Sequence, residues 1–170
     1  MRKASGSRHF QISTATSGGR AGWTVAHSQS GFNAFRHHLL AYRSAARPAL
    51  YAEMVGNLVT ARNVLDRVRE GRIDVGPLDA YWHMLIARHA PQLTAGVRVL
   101  ASTEPTPMPA FVAAACAPPE LVTSLQRAFA AAALGEQLLL RGFAPVNEAD
   151  YATLLRWDEE ARASGFEQPA

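Results

Sequence analysis

The sequence predicts an α/β protein with a mostly parallel sheet, and three observations support this. Short apolar runs alternate with segments whose apolar residues recur at helical spacing, which is the pattern of parallel strands joined by crossover helices. Polar or glycine-containing turns separate the two kinds of segment. The chain has 170 residues, 48% hydrophobic and 18% charged, which is enough for one domain with its own core.

The predicted elements follow in chain order. Residues 1–21 are rich in Ser, Gly, Thr and Arg, and we expect a poorly ordered segment there, with 9–14 as a candidate short strand. The apolar runs predict strands at 23–26, 50–55, 73–78, 97–101 and 110–115. Helical spacing predicts helices at about 32–45, 58–70, 80–89, 118–134 and 147–163, with a short helix and turn at 135–142.

Capping and breaking residues set the predicted ends of these helices. Asn57, Asp79 and Asn147 are predicted N-caps, because their side chains accept hydrogen bonds from free N–H groups. Gly71 is the predicted C-terminal stop of the second helix. The proline at 48 breaks the chain after the first helix. In the helix at 118–134, the predicted buried stripe comprises Leu121, Leu125, Phe129 and Ala132.

A proline-rich connector divides the chain. Pro105, Pro107 and Pro109 occupy alternate positions, which excludes a helix and predicts a stiff, extended segment. We therefore divide the chain into a poorly ordered segment (1–21), a ligand-binding α/β lobe (22–104), a hinge (105–109) and a C-terminal segment (110–170).

Charge and cysteine content exclude several classes of protein. The net charge is +3, and residues 1–50 hold seven Arg or Lys and no acidic residue. These basic residues are scattered without interleaved aromatic residues, so a solvated basic surface is favoured and no nucleic-acid partner is predicted. No apolar run is long enough to span a membrane. The single cysteine, Cys116, excludes an internal disulfide and is predicted to be a buried core thiol.

A polar turn follows the first predicted strand and opens the first predicted helix. It contains Ser28, Gln29 and Ser30, followed by Gly31, which lets the backbone approach a ligand closely. The first turn of a helix has free N–H groups and a partial positive charge, so two hydroxyls and an amide there would suit an anion. The alternative is that one of the serines only caps the helix.

Two further strand-to-helix loops hold candidate ligand residues. Because the carboxyl ends of parallel strands line one crevice, Thr60 and Asp79 would converge with the first turn. Asp79 would favour an amine or hydroxyl on the ligand, or would only cap the next helix. Tyr81 would stack on the ligand, or Tyr81 and its neighbour Trp82 would contribute to the core. We find no nucleophile–base pair, phosphate loop or metal-ligand spacing, so no catalytic residue, metal or cofactor is predicted.

Three segments carry a family resemblance. Residues 25–33 read Val-Ala-His-Ser-Gln-Ser-Gly-Phe-Asn, and residues 71–79 read Gly-Arg-Ile-Asp-Val-Gly-Pro-Leu-Asp. After the connector come Phe-Val at 111–112 and Pro-Pro-Glu-Leu at 118–121. In this order they resemble the Ser-x-Ser-Gly-aromatic motif, the Gly-(Arg/Lys)-x-Asp segment and the later hinge of phosphate/phosphonate-type periplasmic substrate-binding proteins of ABC transporters. The resemblance covers residues from about 22 to 135.

The resemblance implies a type II periplasmic binding fold, in which two α/β lobes close on a ligand. Residues 22–104 would be a three-layer lobe, and 110–170 a strand-and-helix segment returning from the other lobe. Ser28, Gln29 and Ser30 would hold phosphonate oxygens, and Asp79 would contact the rest of the ligand. Two departures leave the ligand open: Ala-His stands at 26–27 where many members carry Asp-Pro, and Val-Thr-Ala at 59–61 where many carry Gly-Ser-His.

The resulting hypothesis is a non-enzymatic solute-binding component of an ABC transporter for a small phosphonate- or phosphate-like anion. An ABC permease would be its partner, and its location would be periplasmic, or cytoplasmic if the start without a signal peptide is genuine. The family's first lobe precedes the serine motif, where this chain has only about twenty residues, so we expect a truncated form. Its exposed C-terminal segment would then support homo-oligomerisation. The alternatives are a ligand-sensing or biosynthetic enzyme domain of the same fold, or a non-functional remnant.

Overall fold

The computed structural model describes residues 18–132 and 136–166, which form a small sheet and several helices. The strands are β1 (Arg20–Gly22) and β2 (Glu53–Val55). The α-helices are α1 (Ala34–Leu40), α2 (Ala61–Arg69), α3 (Ala80–His89), α4 (Pro119–Ala131) and α5 (Glu148–Ala163). A π-helical turn, Gln29–Asn33, leads directly into α1, and single 3-10 turns lie at Pro91–Leu93 and Glu136–Leu138. This mixture of helix with a parallel sheet fits the predicted α/β class.

Strand β1 is the centre of the sheet. It pairs in parallel with β2, with Ala21 opposite Met54. On its other side, Ala21 forms a parallel bridge with Val75, and the N–H of Gly22 donates to the carbonyl of Val75 at 2.9 Å. Three chain segments therefore run side by side in the same direction.

The predicted strands require corrections. The first strand lies at Arg20–Gly22, not at 23–26, and the predicted strand at 73–78 is reduced to the bridge at Val75. Within 23–26, Trp23 is buried because it packs against Phe32, with ring centroids 4.8 Å apart, whereas Ala26 is exposed. The strands predicted at 97–101 and 110–115 are absent from the described residues. A strand needs a paired neighbour, and an apolar run alone does not supply one.

The helix predictions are largely confirmed, because each α-helix of the described residues lies within a predicted range. Asp79 and Asn147 cap α3 and α5 as predicted, and Gly71 follows α2 with a φ of +65°. The cap predicted for α2 is wrong: Thr60, not Asn57, accepts the hydrogen bond from the helix. Asn57 itself has a φ of +55°, so the chain needs three more residues before the helix begins. The candidate strand at 9–14 lies outside the described residues.

The core is built from the first part of the described chain together with α5. One cluster of buried side chains comprises Ala21, Phe35, Leu39, Leu50, Tyr51 and Phe166, and a second comprises Leu58, Val64 and Ile73. Arg20 fixes β1 next to the second cluster, because its N–H donates to the carboxylate of Asp74 at 2.7 Å. The two clusters pack against the sheet, the first through Ala21 of β1 and the second through Val55 of β2.

Two predicted buried features are exposed instead. Helix α4 has no buried residue, and Leu121 and Leu125 are 49% and 44% exposed, so the predicted buried stripe is wrong. Its helical spacing is real, but burial also requires a second surface to cover it. Cys116 is exposed as well, because the small-residue run around it lies in an irregular surface segment and not in the core. None of the described helices is long and apolar enough to cross a bilayer.

Candidate functional site

The turn after β1 is shaped by Ser28. Its Oγ accepts a hydrogen bond from the N–H of Gly31 at 3.0 Å, and its carbonyl accepts from the N–H of Asn33 at 3.0 Å. The second bond spans five residues and begins the π-helical turn, a wider turn that is frequent at functional sites. Together the π-turn and α1 make twelve consecutive helical residues, Gln29–Leu40. The first N–H groups of a helix have no acceptor within the helix itself.

Gly31 is required at its position by close approach. Its carbonyl accepts from the N–H of Thr24 at 3.1 Å, which brings the two backbones together. A Cβ at this position would lie 2.9 Å from Ser28 Oγ and would collide with the Thr24 side chain. Glycine is therefore the residue that allows hydroxyl groups to surround the first helical turn.

Two polar atoms at this turn are buried without a hydrogen-bond partner among the described residues. They are Thr24 Oγ1 and the Gln29 side-chain nitrogen. Thr24 is only 5% exposed, and an unpaired buried polar group costs roughly 1–3 kcal/mol. Sequence reasoning missed Thr24, because it lies in an apolar run that predicted a strand. A ligand that accepts hydrogen bonds from these groups would remove this cost.

The second loop lies directly beside the first. The N–H of Leu58 donates to the carbonyl of Trp23, and the N–H of Val59 donates to the carbonyl of Thr24, both at 3.2 Å. Thr60 follows immediately, and its Oγ1 accepts from the N–H of Asn63 at 3.1 Å. The structure thus places Thr60 next to a residue that is hydrogen-bonded to the first loop.

The third loop leaves the sheet from the same edge. Because Val75 pairs in parallel with β1, the chain after it emerges beside the chains that leave β1 and β2. Asp79 accepts from the N–H of Trp82 at 2.8 Å, and the hydroxyl of Tyr81 donates to the carbonyl of Leu138 at 2.9 Å. These bonds connect Asp79 to its own helix and Tyr81 to the C-terminal segment, and ligand contact by either residue stays a prediction.

Val59 adopts an unfavourable backbone conformation in the second loop. Its φ is +68°, a left-handed value that β-branched residues rarely adopt. Backbone strain of this kind tends to occur at ligand-binding and switch regions. Glycine takes this conformation without strain. The loop therefore has the shape expected of a glycine at this position.

Potential metal ligands are dispersed. Within residues 18–132 and 136–166, no three His, Cys, Asp or Glu side chains lie together in a way that would hold a metal ion. His27, which follows β1, is exposed. The polar groups of the turn are hydroxyls, an amide and backbone N–H groups, which are donors suited to an anion.

A parallel sheet whose carboxyl edge carries a hydroxyl-rich helix N-terminus is characteristic of α/β ligand-binding proteins. A family model described as "ABC transporter, phosphonate, periplasmic substrate-binding protein" matches residues 8–151, most of the chain. The chain belongs to this family, which confirms the resemblance read from its motifs. The family consists of non-enzymatic periplasmic proteins that work with ABC transporters. No curated protein matches this sequence.

Proposed function

We propose that the chain binds a small anion of the phosphonate or phosphate class at the turn that follows β1. The observation that carries the proposal is a pair of buried groups beside the start of a helix, Thr24 Oγ1 and the Gln29 amide nitrogen, which have no hydrogen-bond partner in the part of the chain that the structure describes. A helix N-terminus attracts negative charge, and tetrahedral oxyanions accept several hydrogen bonds at once.

Helix capping and ligand binding are compatible at this site. The Oγ atoms of Ser28 and Thr60 each accept a backbone hydrogen bond, which leaves both O–H groups available to donate to an anion. Asp79 uses Oδ1 for its cap, so its second oxygen remains available for an amine or hydroxyl of the ligand. Ser30 would add a further hydroxyl, and Tyr81 a ring surface beside the ligand.

The family supports the wider role. We infer that the chain delivers its ligand to an ABC permease from the periplasmic side, without chemical conversion and without a cofactor. The ligand-sensing and enzymatic alternatives have no comparable support, because the described turn contains donors for an anion and no paired nucleophile and base.

Calorimetry with methylphosphonate, inorganic phosphate and methanesulfonate tests the site. Ser28→Gly should weaken binding of methylphosphonate by about 10- to 150-fold, the worth of one charge-assisted hydrogen bond. Stability should fall by only a few tenths of a kcal/mol, since glycine is an acceptable N-cap. Ser102→Ala, which removes an exposed hydroxyl outside the three loops, is the matched control and should leave affinity unchanged. Equal affinity in Ser28→Gly and the wild type would overturn the proposed site.

Self-association through residues 110–170 is a second part of the proposal. Helix α4 exposes Leu121 and Leu125, and Phe129 stacks on the 69%-exposed Phe111 with ring centroids 4.7 Å apart. An apolar surface of this kind favours contact with another protein surface. Light scattering should report a dimer or larger species, and the Leu121→Glu, Leu125→Glu double variant should report a monomer. A monomeric wild type at high concentration would refute self-association.

A further inference from the structure

The π-helical turn is hydrogen-bonded to helix α5, which lies far along the chain. The Asn33 side-chain amide donates to the Gln29 side-chain oxygen at 2.9 Å. The same amide also donates to the carbonyl of Leu154, 121 residues later, at 3.1 Å. One NH₂ group therefore joins a candidate ligand residue to the backbone of α5.

Arg36 connects the turn to α5 a second time. Its guanidinium donates to Asn33 Oδ1 at 3.3 Å and forms an ion pair with Asp158. It also donates to the carbonyl of Phe166 at 3.3 Å and lies over the Phe32 ring, 4.9 Å from the centroid. Arg36 is 2% exposed, so its charge depends on these partners for compensation.

One turn further along α1, a pair of stacked aromatic rings holds α5 against α1. The rings of His37 and Trp157 are 4.5 Å apart and within 8° of parallel, and Trp157 is 2% exposed. His37 Nε2 lies 2.9 Å from a carboxylate oxygen of Glu160. Helix α5 is thus held by apolar burial and by polar contacts on the same face.

These contacts determine the orientation of Gln29. Because its side-chain oxygen is held by Asn33, its nitrogen is directed away from Asn33 and remains unpartnered among the described residues. We propose that α5 is a positioning element for the anion-binding turn, and that Asn33, Arg36 and Asp158 are positioning residues that orient the Gln29 amide. The ligand part of this inference rests on the proposed function, whereas the coupling of α5 to the turn does not.

Asp158→Asn separates positioning from simple electrostatics. The change removes a negative charge, which by Coulomb's law alone would strengthen binding of an anion. Positioning predicts the opposite result: methylphosphonate and inorganic phosphate should bind about tenfold more weakly, as expected for one weakened charge-assisted hydrogen bond. Arg162→Gln is the matched control, because it removes the other, exposed partner of Asp158 and leaves the pair with Arg36 intact.

Measurements on the ligand-free protein test the coupling directly. In Asp158→Asn, the Gln29 side-chain amide signals should shift in the NMR spectrum, and backbone hydrogen exchange should rise at 30–33 but not at the buried centre of α2. A variant that is merely less stable would exchange faster in both places. If Asp158→Asn does not fold, Asn33→Ser removes the shared amide without touching the Arg36–Asp158 pair, and the same two measurements apply.

The outcomes distinguish the two proposals. If the wild type binds neither methylphosphonate nor phosphate, the proposed function fails, and the exchange and NMR comparison still decides whether α5 orients the turn. If the wild type binds and Asp158→Asn binds equally well with unchanged Gln29 signals, the positioning role is wrong and the proposed function stands. Weaker binding together with local changes at the turn would support both.

Discussion

Val59 shows how a single residue can oppose the conformation of its loop. A left-handed backbone costs a non-glycine residue roughly 1–2 kcal/mol, and at a φ of +68° Val59 carries such a cost. The hydrogen bond from the N–H of Val59 to the carbonyl of Thr24 holds the loop in this conformation. Val59 is 62% exposed, so its side chain gains little from burial in return.

Val59→Gly should therefore stabilise the protein by about 0.5–1 kcal/mol, because relief of the left-handed strain exceeds the extra chain entropy of glycine. Urea unfolding would measure the change. Val112→Gly is the matched control: Val112 is 91% exposed but lacks a positive φ, so glycine there should be neutral or slightly destabilising. Equal effects at both positions would show that the loop is not strained at Val59.

At the scale of elements, helices were predicted more accurately than strands, of which the one at 50–55 contains β2. Helix ends depend on nearby residues, so Asp79 and Asn147 could be identified as caps from the sequence. Strand pairing depends on distant partners, so the apolar runs at 97–101 and 110–115 predicted strands that the described residues do not form. The same limit applies to burial, as the exposed stripe of α4 shows.

The candidate site was predictable only in part, for the same reason. Ser28, Gln29 and Thr60 were predicted as ligand residues because polar residues follow apolar runs in the local sequence. Thr24 was missed, because its position became clear only when the backbone of Gly31 was seen beside it. Nothing in the sequence near residue 29 indicates that residues of α5 would bond to the turn.

At the scale of the whole molecule, two carboxylates connect distant segments and make stability depend on pH. Hydrogen bonds from the backbone and side chain of Arg20 hold the pKa of Asp74 below its ordinary value. Partial burial opposes ionisation of Asp158, but hydrogen bonds from Arg36 and Arg162 outweigh it, and its pKa is also lowered. A lowered carboxyl pKa contributes stability above the pKa of the unfolded chain, about 3.9, and that contribution is lost as pH falls through the folded value.

Low pH should therefore reduce the difference in stability between Asp74→Asn and the wild type. At pH 7 the variant should be less stable than the wild type, because it lacks the ionised partner of Arg20. Toward pH 2 the two proteins should converge in stability, since the wild-type carboxylate becomes protonated as the pH falls through its lowered pKa. Urea unfolding at both pH values would measure the difference, and a gap of constant size would show that Asp74 does not contribute through its charge.

The contact of α5 with α1 has a consequence for the order of folding. Arg36 reaches the carbonyl of Phe166 across 130 residues, so a chain under synthesis must extend past that residue before the turn acquires its last hydrogen bonds. Closing such a long loop is slow compared with forming local helices. Helices α1 and α2 would thus form early, while competence to bind an anion would arise only in the final step of folding.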